Sequence, residues 1–319
     1  MTSAHSVFGP SRNFPDRTRA NWLGRYLEVE HSFDKKLRKI LLQAYRDTNK
    51  TLDRLVNDNL STEVSRLQIS LTRKELRRQL NETFNTTGHL IRDSREDAAV
   101  AAVEATIYDE SSVLSKLFPD PIDRVQYADS LRQTARRNVE STITRVLFSE
   151  RPLSEKVYRT KALADGRVSR VINSALARGA SAEQLAKDVV SLINPDVPGG
   201  VSYAAMRLGR TEINNAFHAQ AINEAQDQPW VSQMRWHLSK RHEDDPGDAC
   251  EDYAIIGLFN KSEVPPKPHP NCRCFVTPEV DSDDLFEKNL LSGQYDDYVR
   301  SVMEKGRREY AARQGNRRR

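Results

Sequence analysis

All three cysteines of this 319-residue chain lie between Cys250 and Cys274, and two of them sit in one short segment, "HPNCRC", His269 to Cys274. A metal clamp of the zinc type needs about four N, S or O donors at roughly 2.0 to 2.3 Å from the ion. Cys250, His269, Cys272 and Cys274 supply four, with His242 and the acidic cluster Glu243, Asp244, Asp245 and Asp248 close by in sequence. Pro268 and Pro270 bracket His269 and restrict its backbone, which lowers the cost of ordering a ligand there. C-x-C is not the usual C-x₂-C pair, so two other readings stand beside zinc: a metal-free, hydrogen-bonded knot, or a redox or catalytic cysteine. Calcium is discounted because the acidic cluster lacks EF-hand spacing. The cysteine count is odd, and a cytoplasmic origin keeps thiols reduced, so no disulfide framework is expected.

A second group of candidates is the run "LGRTEINNAFHAQ". On a helix Arg210, Asn214 and His218 recur every four residues with Thr211 beside them, a polar stripe turned away from Ile213 and Ala216. Such a stripe can recognise a ligand or hold a neighbouring loop. Arg210 and Glu212, two residues apart, point to ion pairs with different partners on different faces, and the structural role is the favoured one. The third group is the C-terminal tail. Residues 300–319 carry a local charge of +6, leaving −2 for residues 1–299. Arg307, Arg308, Arg313, Arg317, Arg318 and Arg319 are candidate phosphate contacts on nucleic acid, set against a plain solvated terminus. Mononucleotide, dinucleotide, zinc-protease and serine-hydrolase motifs are absent, so ordinary nucleotide and protease chemistry lacks its parts.

Residues 1–20, with Gly9, Pro10 and Pro15, read as an arm. Phe33, Leu37, Ile40, Leu41 and Ala44, continued by Leu52, Leu55 and Val56 toward Leu60, mark one long amphipathic helix. A second helix is expected over about Thr62 to Phe84, stopped at Gly88, and a third over about Asp93 to Leu117, closed at "FPDP". Ile122 to Leu147 gives a helix of about seven turns, and Val168 to Leu176 another, stopped by Gly179. "SAEQ" is a capping box in which Ser181 takes an amide and Gln184 reaches back. The linker "NPDVPGG" follows. A helix over about Ser202 to Gln226 then precedes two strands, "WVSQMRWHLSK" and "RCFVT", joined by about 30 irregular residues too long to be a passive loop unless something pins them.

The fold expected is mainly α, α+β overall: an elongated helical N-terminal part followed by a small α+β module with a short antiparallel sheet. Its segments are an arm 1–20, a helical region 21–198, a module 199–280, and an acidic linker, helix and basic tail over 281–319. A charged fraction of 29% against 7% aromatic suits broad solvated helical faces. No apolar run is long enough to cross a membrane, no secretory leader is evident, and a cytoplasmic origin is expected.

The order of these features, "RTEINNAFHAQ", then "MRWHLSKRHEDDPGDAC" with Trp236, then a proline-rich run into "HPNCRCFVTP", resembles the phage Mu F-like head morphogenesis family, which includes the minor head protein of phage SPP1. The match covers about Ser202 to Pro278. In the family Arg210, Thr211, Glu212, His218 and Trp236 are motif positions with no catalytic role implied. The resemblance implies a minor capsid protein that is not an enzyme, made in the host bacterial cytoplasm and carried in several copies inside the virion near the portal vertex. It implies as partners the portal protein, capsid proteins and genomic DNA, with no membrane. Family members carry C-x-x-C where this chain has "CEDY", so His242, Asp248 or Asp252 would complete a metal set. The alternatives are a zinc-assisted hydrolase or nuclease, a toxin carrier, and a free-standing DNA-binding protein.

Overall fold

A computed structural model describes residues 16–57, 66–148, 151–178, 180–197, 200–239 and 249–317. Two long helices come first, α1 (Asp16–Asn57) and α2 (Arg66–Asp109), followed by a short α3 (Ser111–Leu117). Four more helices follow: α4 (Pro121–Leu147), α5 (Leu153–Ala177), α6 (Ala182–Ile193) and α7 (Val201–Asp227). The chain then forms β1 (Val231–His237), α8 (Ala249–Ile256), β2 (Leu258–Asn260), β3 (Phe275–Val280), α9 (Asp283–Leu291) and α10 (Asp296–Arg317). The mainly-α, α+β expectation holds.

Residues 16–20 belong to α1, not to an arm, and residues 1–15 lie outside the described ones. The cause is the buried stripe. Trp22, Tyr26, Glu30, Phe33, Leu37, Leu41, Ala44, Thr48, Leu52 and Leu55 are all buried at steps of four, four and three. That is an 11-residue repeat, about 3.67 residues per turn, which keeps one face inward along a nearly straight helix. The two polar members of the stripe have partners: Glu30 takes Arg273, and Thr48 donates to Gln79 across the α1–α2 contact.

Gly88 does not stop a helix; α2 runs through it as one element of 44 residues. Leu80, Phe84, Ile91, Ala98 and Ala102 continue one buried face past it, and that burial outweighs the ~1 kcal/mol that a glycine costs in a helix interior. The expected third helix instead breaks at Glu110, whose backbone leaves helical geometry between α2 and α3. α4 starts as its sequence demands, with Asp120 accepting from the Ile122 amide and Pro121 in the first turn. At α6, Ser181 caps the Gln184 amide, but Gln184 donates forward to Asp188 and leaves the capping box half made.

α7 is buried nearly all round and forms the axis of the molecule, against α1, α2 and α4. At Gly209 the Phe33 ring of α1 occupies the space a Cβ would need. The core continues from the helices into the sheet without a break, so the module after "NPDVPGG" shares it. The sheet is antiparallel in the order β2–β1–β3, with Met234 opposite Phe259 on one side and Pro278 on the other. The linker between β1 and β3 is not wholly irregular. It contains α8 and β2, and β2 joins the sheet as an edge strand.

Candidate metal centre

Cys250 stands in the first turn of α8, while His269, Cys272 and Cys274 lie on the turn that enters β3. Asn271 makes that turn with a left-handed backbone, φ 60°, a conformation asparagine accepts more readily than most residues. Its amide donates to Thr211 Oγ1 of α7 at 3.2 Å. The fold thereby brings together three buried cysteines, none in a disulfide, whose sulfurs all lie within 4.8 Å of one another. The Cys250 and Cys272 sulfurs are 3.4 Å apart, too far for a disulfide at about 2.05 Å.

His269 stands at the rim of this group and is not one of the three ligands that lie within 4.8 Å of one another; its contact is with Cys250. Its Nδ1 is 3.0 Å from the Pro270 carbonyl, which can only accept, so Nδ1 carries the hydrogen. Nε2 then presents its lone pair, 3.6 Å from Cys250 Sγ. A carbonyl that fixes the ring tautomer in this way is the usual companion of a metal-binding histidine. The cluster can hold a metal ion. The thiols share protons unequally: hydrogen bonds from Cys250 and Cys274, with the Lys267 charge, hold Cys272 far below an ordinary thiol. Its hydrogen bond to Cys272 pushes Cys250 up.

Lys267 is the member of the site that spacing did not reveal. Its Nζ is buried with no hydrogen-bond partner and lies 5.2 Å above the Trp236 ring. Burial lowers its pKa, and the three cysteines oppose that shift. A buried ammonium without an acceptor is costly unless negative charge lies close by, and the sulfur group is where that charge can reside. Trp236 also meets His218 and Tyr253 edge-on, at 5.7 and 5.0 Å.

The polar stripe of α7 does not face away from the core. Asn214 is 3% and His218 1% exposed, as buried as Ile213 and Ala216, because the C-terminal half of α7 is enclosed on every side. The stripe holds the loop. His218 Nε2 donates to the Pro265 carbonyl at 3.1 Å, and burial lowers its pKa to about 3, so the ring is neutral. Arg210 makes a two-pronged pair with Asp34 of α1, at 2.7 and 3.0 Å. Arg273, between the two cysteines, pairs with Glu30 one turn earlier on α1. Glu212 turns the other way, to Lys156 at 3.0 Å and Arg95 at 3.9 Å. The expectation of different partners on different faces is met.

Of the remaining candidates, His242 and Asp248 lie outside the described residues. Asp252 is exposed on α8 and is not among the clustered ligands. Arg307 and Arg308 are exposed on α10; Arg313 and Arg317 continue that helix, and Arg318 and Arg319 lie outside the described residues. Glu30, which ties the knot to α1 through Arg273, and Asp34, which holds Arg210 of α7, sit 243 and 176 residues from their partners and carry no local signal. Comparison with protein-family models, curated proteins and solved structures finds no match to the chain.

Proposed function

We propose that this chain is a minor capsid protein of a tailed bacteriophage, an assembly part and not an enzyme, whose C-terminal module is fastened by a structural zinc ion. The ligands are Cys250, Cys272, Cys274 and His269. The observation that carries the zinc reading is the spacing of the donors. Tetrahedral zinc at about 2.3 Å from sulfur and about 2.05 Å from nitrogen places sulfurs ~3.8 Å apart and sulfur and nitrogen ~3.6 Å apart. The distances here are 3.4 Å for Cys250 to Cys272 and 3.6 Å for Cys250 to His269. The three clustered thiols supply three donors, and His269, drawn in from the rim through its contact with Cys250, would be the fourth that closes the site, the arrangement of structural rather than hydrolytic zinc.

Three thiolates, a neutral histidine and a divalent ion sum to one negative charge, and the buried Lys267 supplies its match. The helical body and the knot together make a rigid unit fit for docking on the portal and on neighbouring capsid proteins in the virion. The basic end of α10 is suited to genomic DNA. Two measurements test this. Elemental analysis of the purified chain should give one zinc per chain, falling below one tenth in Cys272→Ser; full-length protein that folds without metal and takes up none overturns the zinc. Mass spectrometry of purified virions, with co-purification on the portal protein, should find the chain in both; absence from both overturns the virion assignment.

A further inference from the structure

A cleft of about 980 Å³ opens between α2 and the corner where α4 meets α5, and it shares no residue with the cysteine knot. Its walls carry five permanent cations, Arg92, Arg95, Arg145, Arg151 and Lys161, against one carboxylate, Glu140. A second groove, of about 750 Å³ between α1 and α2, shows that size alone means little. There Arg78 is locked between Glu75 and Glu82 and the charges nearly balance.

In the larger cleft the balance fails. Arg145 is held by neutral side chains, Asn223 and Gln226. Arg92 is exposed. Arg95, 2% exposed on the floor, gives one nitrogen to Glu140 and has another 3.9 Å from the buried Glu212 behind it, while its Nε is buried with no partner; Arg151 lies 3.9 Å from Glu155, outside the walls. Beside these cations lies an apolar wall that includes Phe84, Ile143 and Val157, and Tyr158 stands 64% exposed with Lys161 at 5.4 Å from its ring.

Cations alone would suit any phosphate, but inorganic phosphate leaves the apolar wall unused. Duplex DNA presents phosphates and hides its base faces. An unpaired strand offers both phosphates and a stacking surface, which is the combination the cleft displays. We propose that the cleft between α2, α4 and α5 binds a single nucleic-acid strand, with phosphates on Arg92, Arg145 and Lys161 and a base against Tyr158. This site is separate from the basic end of α10 and independent of the zinc reading.

The test is fluorescence anisotropy of a short labelled single-stranded oligonucleotide with the full chain, over a sodium chloride series. Arg92→Ala with Lys161→Ala should weaken binding about tenfold or more near 0.1 M salt and flatten the log–log salt slope by about 1.4, or ~0.7 per lost contact. Tyr158→Ala should weaken it about tenfold with the slope unchanged. Glu140→Gln, which removes the one carboxylate of the walls, should tighten it, a gain that misfolding does not mimic. All of these effects should persist when Arg313, Arg317, Arg318 and Arg319 are changed to Gln. The proposal is overturned if the Arg92/Lys161 variant binds as the parent does, or if the tail variant no longer binds the oligonucleotide. Duplex or inorganic phosphate competing as well as the single strand, with Tyr158→Ala silent, also overturns it. Arg92 and Tyr158 are exposed and Lys161 is half-buried, so thermal melting should stay at the parent's value in the Arg92/Lys161 and Tyr158 variants.

Discussion

Two buried ionisable side chains carry residue-scale consequences. Lys267 has no acceptor for its ammonium, so its effect depends on the charge of the sulfur group. With zinc bound, Lys267→Met removes the counter-charge of an anionic centre, and zinc affinity, read by competition with a chromophoric chelator, should fall by about tenfold or more. Without metal the same change deletes a poorly compensated buried charge, so the melting temperature of the metal-free chain should hold or rise. Glu224 is the other case. Burial first, then the Asp227 charge, raises its pKa to about 7, against about 4.5 when unfolded. A raised folded pKa means the contribution is fully present below about 4.5 and is lost as pH climbs through about 7. Glu224→Gln should therefore melt like the parent at pH 4.5 and higher than the parent at pH 8, by roughly 1 to 3 kcal/mol in stability. Equal pH profiles for the two proteins would contradict this assignment.

Two glycines on different helices test the packing at the scale of elements. Gly88 sits within the continuous α2, and an added Cβ would meet Val157 at an ordinary 3.5 Å. Gly88→Ala should stabilise the protein by roughly 0.5 to 1 kcal/mol in denaturant unfolding, because alanine loses less backbone freedom in a helix. A helix that ended there would be destabilised by the same change. Gly209 is the opposite case, since a Cβ there overlaps the fully buried Phe33 ring. Gly209→Ala should cost roughly 1 to 3 kcal/mol, and Phe33→Leu in the same chain should recover part of it. Additive losses would mean that the two helices do not meet at this point.

For the molecule as a whole, α10 divides into a docked half and a charged half. Tyr298 reaches Tyr127 of α4 at 3.0 Å and meets Trp230 edge-on, and Gly306 lies against the Gln126 carbonyl. Ending the chain after Arg308 should leave the melting temperature within error of the parent. Ending it after Gln294 should lower it clearly, because Trp230 then loses both its aromatic neighbours, Tyr295 and Tyr298. If the tail contacts DNA as proposed, the shorter truncation should also reduce the salt slope of that binding, which would separate an electrostatic role of the tail from the packing of the same helix.

Much of this was legible in the chain. Apolar spacing called for helices over most of the chain, the two strands on either side of the linker and the mainly-α class, and Cys272 and Cys274 are near one another because they are two residues apart; these depend on period and on neighbours in sequence. The Gly88 break was misread because a local stop signal worth ~1 kcal/mol competes with tertiary burial several times larger. The same limit hid the site's surroundings. Glu30 looks like a flaw in an apolar stripe until Arg273 meets it, and Lys267 looks like a solvated charge until Trp236 and three sulfurs enclose it. Residue types and spacing determined which atoms were available as ligands. Only the tertiary structure decided which of them converge and what charge balances them, because burial and Coulomb interaction depend on distance in space and not on separation along the chain.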